Sequence, residues 1–320
     1  MQRDGGIVAR KVIFDTDPGQ DDGVAILAAL GSPGEIEVLG MSVVAGNVPL
    51  HHTVNNALRL IELAGRPDIP VFAGADRPFT RRLETAEHVH GSTGLNGPDL
   101  PVASTAARPG HSVDFIIETV RNGEPGTITI LALGPLTNVA LALLKAPDIA
   151  SRLEAIVLMG GAYFEVGNIT PTAEFNIYVD PEAAKIVFAA GVPLTVLPLD
   201  VTHQMRATPE RIEAFRAIGN RSGQAVYDML SFSQGFDLAK YGWEGAPLHD
   251  PCVTAFLLRP ELFEGRQINI EIETASELTR GMTVADFWGV TDRAKNAFFV
   301  RSGDADGFYA LLTERIARLP

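Results

Sequence analysis

The apolar residues of this chain gather in short, nearly unbroken runs at 11–14 (KVIF), 36–44, 128–133, 156–159 and 194–199. A strand with one wet face alternates apolar and polar residues, whereas an unbroken run implies burial on both faces. Helical stretches separate the runs at 23–30, about 53–64, 136–145 and 181–190, and residues 71 and 72 make a further short strand. A repeating strand–loop–helix order of this kind predicts an α/β chain: an open, mostly parallel, Rossmann-like sheet with helices on both faces. No linker, composition shift or fixed-period repeat divides the sequence, so one domain is expected over residues 1–320. Two stretches break the pattern. Residues 75–109 form a long loop rich in Gly, Pro and Arg that contains HVHGSTGLNG, and such length inside a compact domain points to a lid or binding loop. Residues 204–248 look helical with interruptions and carry FSQGFDLAKYGWEG.

Acidic residues outnumber basic ones 39 to 26, for a formal net charge of −13. Such a surface repels phosphate backbones, and with no basic stripe a nucleic-acid partner is not expected. Ligands are expected to be neutral, or held through a metal. With Cys252 as its single cysteine, the chain can form no intrachain disulfide, which favours a reducing compartment. The start, MQRDGGIVARKVIFD, lacks the apolar stretch of a signal peptide. The most apolar segment, 127–144, carries Gly134, Pro135 and Asn138 in its middle, which suits a buried strand turning into a helix better than a membrane span. A cytoplasmic protein with no membrane partner is expected.

The segment DTDPGQDD, residues 15–22, follows the first strand directly and holds four carboxylates. Open α/β sheets take their ligands at the C-terminal ends of their strands. Asp17 leaves the strand edge, Pro18 and Gly19 make the turn, and Asp21 and Asp22 open the next helix, whose dipole favours negative charge. Capping explains one or two of these aspartates. Four so close repel one another unless a cation neutralises them, and hard oxygen ligands select Ca²⁺ or Mg²⁺. His249 and Asp250, in PLHDPC, offer another carboxylate far along the chain, although an N-cap beside a surface histidine reads the same. LALGPLTN, residues 131–138, is either a plain tight turn or one that aims a backbone carbonyl at the site. In AEFNIYVDP, Glu174 and Asn176 share a face if the chain is extended. They suit hydroxyl groups, as do many ordinary polar loops. Trp243 and Trp288 could stack on a flat ligand, but burial or an interface is the commoner fate of tryptophan. Cys252, beside Pro251, reads as packed core.

In this order, DTDPGQDD, VVAGN, HGSTGLNG, LALGPLTN, VLMGG, EFNIYVDP, GAPLHDPC and TRGMTVAD resemble the inosine–uridine nucleoside hydrolase family, from Asp15 to about Asp286. The resemblance implies the nucleoside hydrolase fold and Ca²⁺-dependent hydrolysis of the N-glycosidic bond of ribonucleosides. By that likeness Asp17, Asp22, Asp250 and the Leu133 carbonyl hold the Ca²⁺. Asp17 also takes a proton from the attacking water, beside which Asn47 sits. Asp21, Asn176 and Asp250 match contacts to the ribose 2′- and 3′-hydroxyls, Asn168 and Glu174 match contacts to the 5′-hydroxyl, and Met159 lines the sugar. His249 matches a histidine that protonates or polarises the leaving base, and His90 and Tyr241 fall around that base. Asp15 supports its neighbours. The base-side residues resemble those of members that take uridine and cytidine, with inosine also used. The likeness further implies a homodimer or homotetramer. A subgroup with cysteine in the first motif does not match, because that position is Gln20 or Asp21 here. The inventory suits the chemistry, since carboxylates stabilise an oxocarbenium-like state and a metal acidifies water.

Two other readings fit parts of the sequence. A haloacid-dehalogenase-like phosphatase also carries DxD after its first strand, with Asp15 as nucleophile and Asp17 as acid. Gly19 stands where Thr or Val is usual, however, and no Lys-bearing motif precedes a late DD pair. A non-catalytic nucleoside- or sugar-binding protein would have lost the general base or the leaving-group acid, yet Asp17 and His249 are both present.

Overall fold

Alternate residues of the first strand feed opposite cores. Strand β1 (Arg10–Thr16) sends Val12 and Phe14 into one apolar cluster and Ile13 into another, all three fully buried. This is the two-sided burial that an unbroken apolar run requires. The computed structural model describes residues 9–243 and 245–320, apart from the side chains of residues 236–241. The further strands are β2 (Ile36–Val43), β3 (Val71–Ala73), β4 (Ile128–Ala132), β5 (Leu153–Met159), β6 (Leu194–Leu197), β7 (Arg206–Ala207), β8 (Ala246–Pro247), β9 (Phe263–Ile272), β10 (Thr283–Asp286) and β11 (Ala297–Gly303).

The large sheet has the order β10-β9-β11-β6-β5-β4-β1-β2-β3, and β7 pairs with β8 in a separate ribbon. Neighbours are parallel from β11 through β3, while β9 runs against both β10 and β11. The chain lays β2 and β3 on one flank of β1, then returns to lay β4, β5 and β6 on the other. The order therefore reverses between β1 and β4. The crevice beyond the carboxyl ends of those two strands is where such a sheet takes its ligand.

Helix Gln20–Leu30, which follows β1, is buried at every residue except Asp21. It packs against helices Arg221–Tyr241, Pro251–Leu258 and Ala305–Ile316. Thr254 Oγ1 donates to the Ala25 carbonyl at 3.1 Å, tying the helix after β1 to one near the C-terminus. Arg315, 2% exposed, meets Glu35 at 2.8 Å, and Arg259 meets the same carboxylate at 2.7 Å.

Several boundaries differ from the expectation for physical reasons. The first helix starts at Gln20 rather than residue 23 because its first turn is the polar Asp21-Asp22 pair. Strand β6 stops at Leu197, before Pro198, which has no N–H for the ladder. Strand β9, antiparallel to both neighbours, has no unbroken apolar run through its first half, since Glu264, Gly265, Arg266 and Gln267 are all exposed, whereas β11 went unread although Ala297 to Val300 is apolar throughout. Residues 75–109 form a loop whose one helix is Glu87–His90. Gln20 Nε2 fastens it by donating to the His90 and Asn96 carbonyls at 2.9 and 3.0 Å. Among the described residues no helix is long and apolar enough to cross a membrane.

Candidate active site

Backbone and glycine packing hold the carboxylates at the end of β1. Thr16 Oγ1 donates to Asp22 Oδ1 at 2.5 Å, and the Gly19 amide donates to Asp22 Oδ2 at 2.9 Å. The Asn47 amide donates to Asp17 Oδ2 at 2.7 Å, while Asn47 Nδ2 donates to the Asp17 carbonyl at 3.1 Å. Two glycines leave room for the Asp17 carboxylate. A Cβ on Gly46 would lie 2.1 Å from its Oδ2, and one on Gly134 would lie 2.2 Å from its Oδ1. Both are closer than real Cβ atoms come, so the glycines of VVAGN and LALGPLTN are required by this one side chain.

Asp250 stands at the N-cap of helix Pro251–Leu258, yet its side chain makes no capping bond. It turns instead toward Asp21 and Asp22, and one oxygen from each of the three lies within 4.8 Å of the others. The alternative reading of Asp250 as a simple helix cap is corrected by this convergence. Asp17 is not part of that trio, but its Oδ1 is buried with no hydrogen-bond partner. Converging carboxylates beside an orphaned buried carboxylate oxygen, with no thiolate among them, fit a hard divalent cation.

Electrostatics supports that fit. Burial, followed by mutual repulsion, holds Asp17 and Asp250 well above the usual carboxylate range. Asp22 is raised for the same reasons, and burial lifts Asp21 to about 6. A bound cation reverses this pressure by favouring the ionised form of each carboxylate. Asp15 makes different contacts. It accepts hydrogen bonds from Ser42 Oγ at 2.5 Å and Asn138 Nδ2 at 2.9 Å, and burial raises it to about 7.

On the far side of the crevice, Asn176 Nδ2 donates to the Leu133 carbonyl at 2.7 Å and to the Met159 carbonyl at 3.2 Å. The Leu133 oxygen keeps a second lone pair for another partner. Glu174 caps helix Phe175–Val179: its carboxylate accepts from the amides of Asn176 at 2.9 Å, Gly161 at 3.0 Å and Ile177 at 3.2 Å. Burial nevertheless raises it to about 7. Asn168 Oδ1 accepts from the Phe175 amide at 2.9 Å.

One pocket brings most of the expected residues together. Asp21, Asn47, His90, Leu133, Met159, Asn168, Glu174, Asn176, His249 and Asp250 all line it. Asp15, Asp17 and Asp22 are fully buried and do not line it. The Tyr241 side chain lies outside the described residues. Burial lowers the His90 pKa to about 4 and that of His249 to about 3, so both rings are neutral near pH 7.

Among the lining residues that sequence reasoning assigned no role are Gln20, His88 and His203. Trp243, weighed as a stacking platform or as a buried or interface residue, is half-buried in the pocket wall. Its ring meets that of His203 edge-on at 4.9 Å, with Arg206 over its face at 4.7 Å. Trp288 is 74% exposed, and Cys252 is packed core as expected. His203 follows β6 and the short helix Leu199–Thr202. A polar residue just past a parallel strand was the available signal.

A sequence profile described as inosine-uridine preferring nucleoside hydrolase matches residues 12–310. The chain belongs to that family. It is 53% identical to an uncharacterised protein of Schizosaccharomyces pombe over 310 residues, covering 97% of this chain and 100% of the relative. It is 45% identical over 311 residues to the pyrimidine-specific ribonucleoside hydrolase RihA of a Shewanella species, covering 97% of each. Among solved structures, a purine-preferring ribonucleoside hydrolase from Gardnerella vaginalis superposes with a TM-score of 0.90 at 34% identity, covering 96% of this chain and 98% of that one. The nucleoside hydrolase family thus accounts for the sheet, its switch point and the acidic cluster at its mouth.

Proposed function

We propose that the protein hydrolyses ribonucleosides to ribose and free base with Ca²⁺ as its resident cation, taking uridine well and inosine also. The observation that carries this reading is the convergence of Asp21, Asp22 and Asp250 with the orphaned Asp17 Oδ1 nearby, against a pocket whose lining includes Asn47, Asn168, Glu174 and Asn176. Asp17, Asp22, Asp250 and the Leu133 carbonyl would hold the cation, which supplies Lewis acidity toward water and the ribose diol. The orphaned oxygen of Asp17, aimed by the Asn47 amide, accepts the proton of the attacking water.

Asp21, Asn176 and Asp250 bind the 2′- and 3′-hydroxyls, Asn168 and Glu174 the 5′-hydroxyl, and Met159 the sugar face. His249 and His90, with Tyr241, face the leaving base. The pyrimidine preference draws support from the RihA relative, at higher identity than the purine-preferring structure. We extend the reading to one domain over 1–320, a homodimer or homotetramer, and a cytoplasmic location. The phosphatase reading fares worse: its nucleophile would be Asp15, whose carboxylate is engaged by hydrogen bonds from Ser42 and Asn138. Reducing-sugar release from a panel of ribonucleosides tests the proposal, and no release from any of them overturns it.

A further inference from the structure

Four histidines line the pocket, and in three of them, His90, His203 and His249, Nδ1 is engaged by a different kind of partner. His90 Nδ1 lies 2.7 Å from Gln20 Oε1, and His249 Nδ1 lies 2.8 Å from Thr202 Oγ1. His203 Nδ1 lies 3.1 Å from Glu165 Oε2. An imidazole braced by an amide or hydroxyl stays a neutral hydrogen-bonding group, whereas one braced by a carboxylate is stabilised as the cation. Of the three, only His203 has such a brace. With Nδ1 taken, Nε2 is the ring atom left to meet a ligand.

The surroundings fit a proton carrier. The His203 side chain is 13% exposed and Glu165 is 40% exposed, so the pair joins the pocket wall to solvent. The Trp243 ring packs edge-on against His203, and the His249 ring lies 5.9 Å away, placing His203 beside the residue assigned to the leaving base.

We propose that His203, paired with Glu165, is the acid that protonates the departing nucleobase. This rests on the nucleoside hydrolase reading of the pocket. As the N-glycosidic bond breaks, its electron pair goes to the base, and His203 passes its Nε2 proton to that base and becomes neutral. Water adds its oxygen to the anomeric carbon and gives one proton to Asp17. Solvent then reprotonates His203 and removes the proton from Asp17, so the sum is nucleoside plus water giving ribose plus base. His249 contributes a neutral hydrogen bond beside it. Burial is the largest influence on His203 and holds it below the usual imidazole range, while the facing carboxylates Glu165 and Asp200 favour its charged form and Arg206 and the neighbouring His249 oppose it.

The test compares His203→Gln and Glu165→Gln on uridine, inosine and p-nitrophenyl riboside, whose leaving group departs without a proton. His203→Gln is expected to lower kcat about 100-fold on the two nucleosides and less than about twofold on the nitrophenyl substrate. Glu165→Gln is expected to cost about tenfold on the nucleosides. It should also move the alkaline limb of the kcat profile to lower pH, because the imidazolium loses its carboxylate. Equal loss on all three substrates, or loss on none, overturns the assignment of His203. Wild-type protein that releases ribose from no nucleoside overturns the parent reading instead. Retained turnover of the nitrophenyl substrate by both variants shows that they fold.

Discussion

The Asn47 backbone amide donates to Asp17 Oδ2 at 2.7 Å, leaving the buried Oδ1 as the one oxygen of that carboxylate without a donor. An asparagine at position 17 can keep this bond by turning its carbonyl oxygen toward the amide. Asp17→Asn is therefore expected to fold normally and to lower kcat by about 10²–10⁴-fold, as loss of a general base does. Single-turnover kinetics on uridine checks it, and near wild-type turnover would falsify the base assignment.

Metal content follows from the trio. Purified protein is expected to hold about one Ca²⁺ per chain, as an all-oxygen site prefers. Asp22→Ala removes a carboxylate that both Thr16 and Gly19 orient, and it should abolish the bound ion. Elemental analysis decides the point. Stoichiometric zinc, or full activity after chelation, counts against the oxygen site.

The observed cap of Glu174 and its proposed contact with the 5′-hydroxyl can be separated by mutants. Its carboxylate caps three backbone amides, so Glu174→Ala should cost about 1–2 kcal/mol of stability as a lost cap. Glu174→Gln keeps an acceptor and should fold better. Both variants are expected to raise KM for ribonucleosides more than for 5′-deoxyribonucleosides. Equal KM changes on the two substrate series would remove Glu174 from the 5′-hydroxyl.

Acid stability is tied to Glu35. Although partial burial raises its pKa, Arg259 and Arg315 outweigh that and hold it below the usual glutamate value. A group with a depressed folded pKa adds stability that is present above its unfolded pKa, near 4.5, and is lost as pH falls through the folded value. The wild-type urea midpoint should therefore fall between about pH 5 and pH 3, and Glu35→Gln should flatten this component. At pH 7 that variant leaves the buried Arg315 guanidinium with Glu314 at 4.0 Å in place of its 2.8 Å carboxylate partner, at a cost of roughly 3 kcal/mol. A midpoint equal to wild type at pH 7 would remove the pair from the stability of the fold.

His249 is neutral in its surroundings and braced by Thr202. His249→Ala is expected to slow uridine and inosine by about 10–100-fold while sparing p-nitrophenyl riboside. Equal loss on both substrate types would mean that the ring positions the sugar or the cation.

The parallel strands were legible because two-sided burial leaves an unbroken apolar run, as at Val12, Ile13 and Phe14. The acidic turn at Asp15 to Asp22 was legible from charge density alone, and Asp250 became meaningful only with the family likeness. His203 was not legible, a single polar residue in its own segment, and Gln20 was overshadowed by the aspartates around it; only the fold sets both in one pocket wall. Strand β9 was hidden because an exposed stretch interrupts its apolar pattern, while β11 was missed despite the apolar run from Ala297 to Val300.

The hydrogen bond from Thr254 to Ala25 spans 229 positions of the chain. During synthesis the aspartates at 15–22 leave the ribosome long before Asp250 exists. For most of translation their repulsion has no converging partner to help bind a cation, and helix Gln20–Leu30 lacks the late helices that bury it. Ion capture is therefore a terminal event of folding. A premature stop anywhere before residue 250 yields a chain that lacks one of the three converging carboxylates, whatever part of the sheet it has already built.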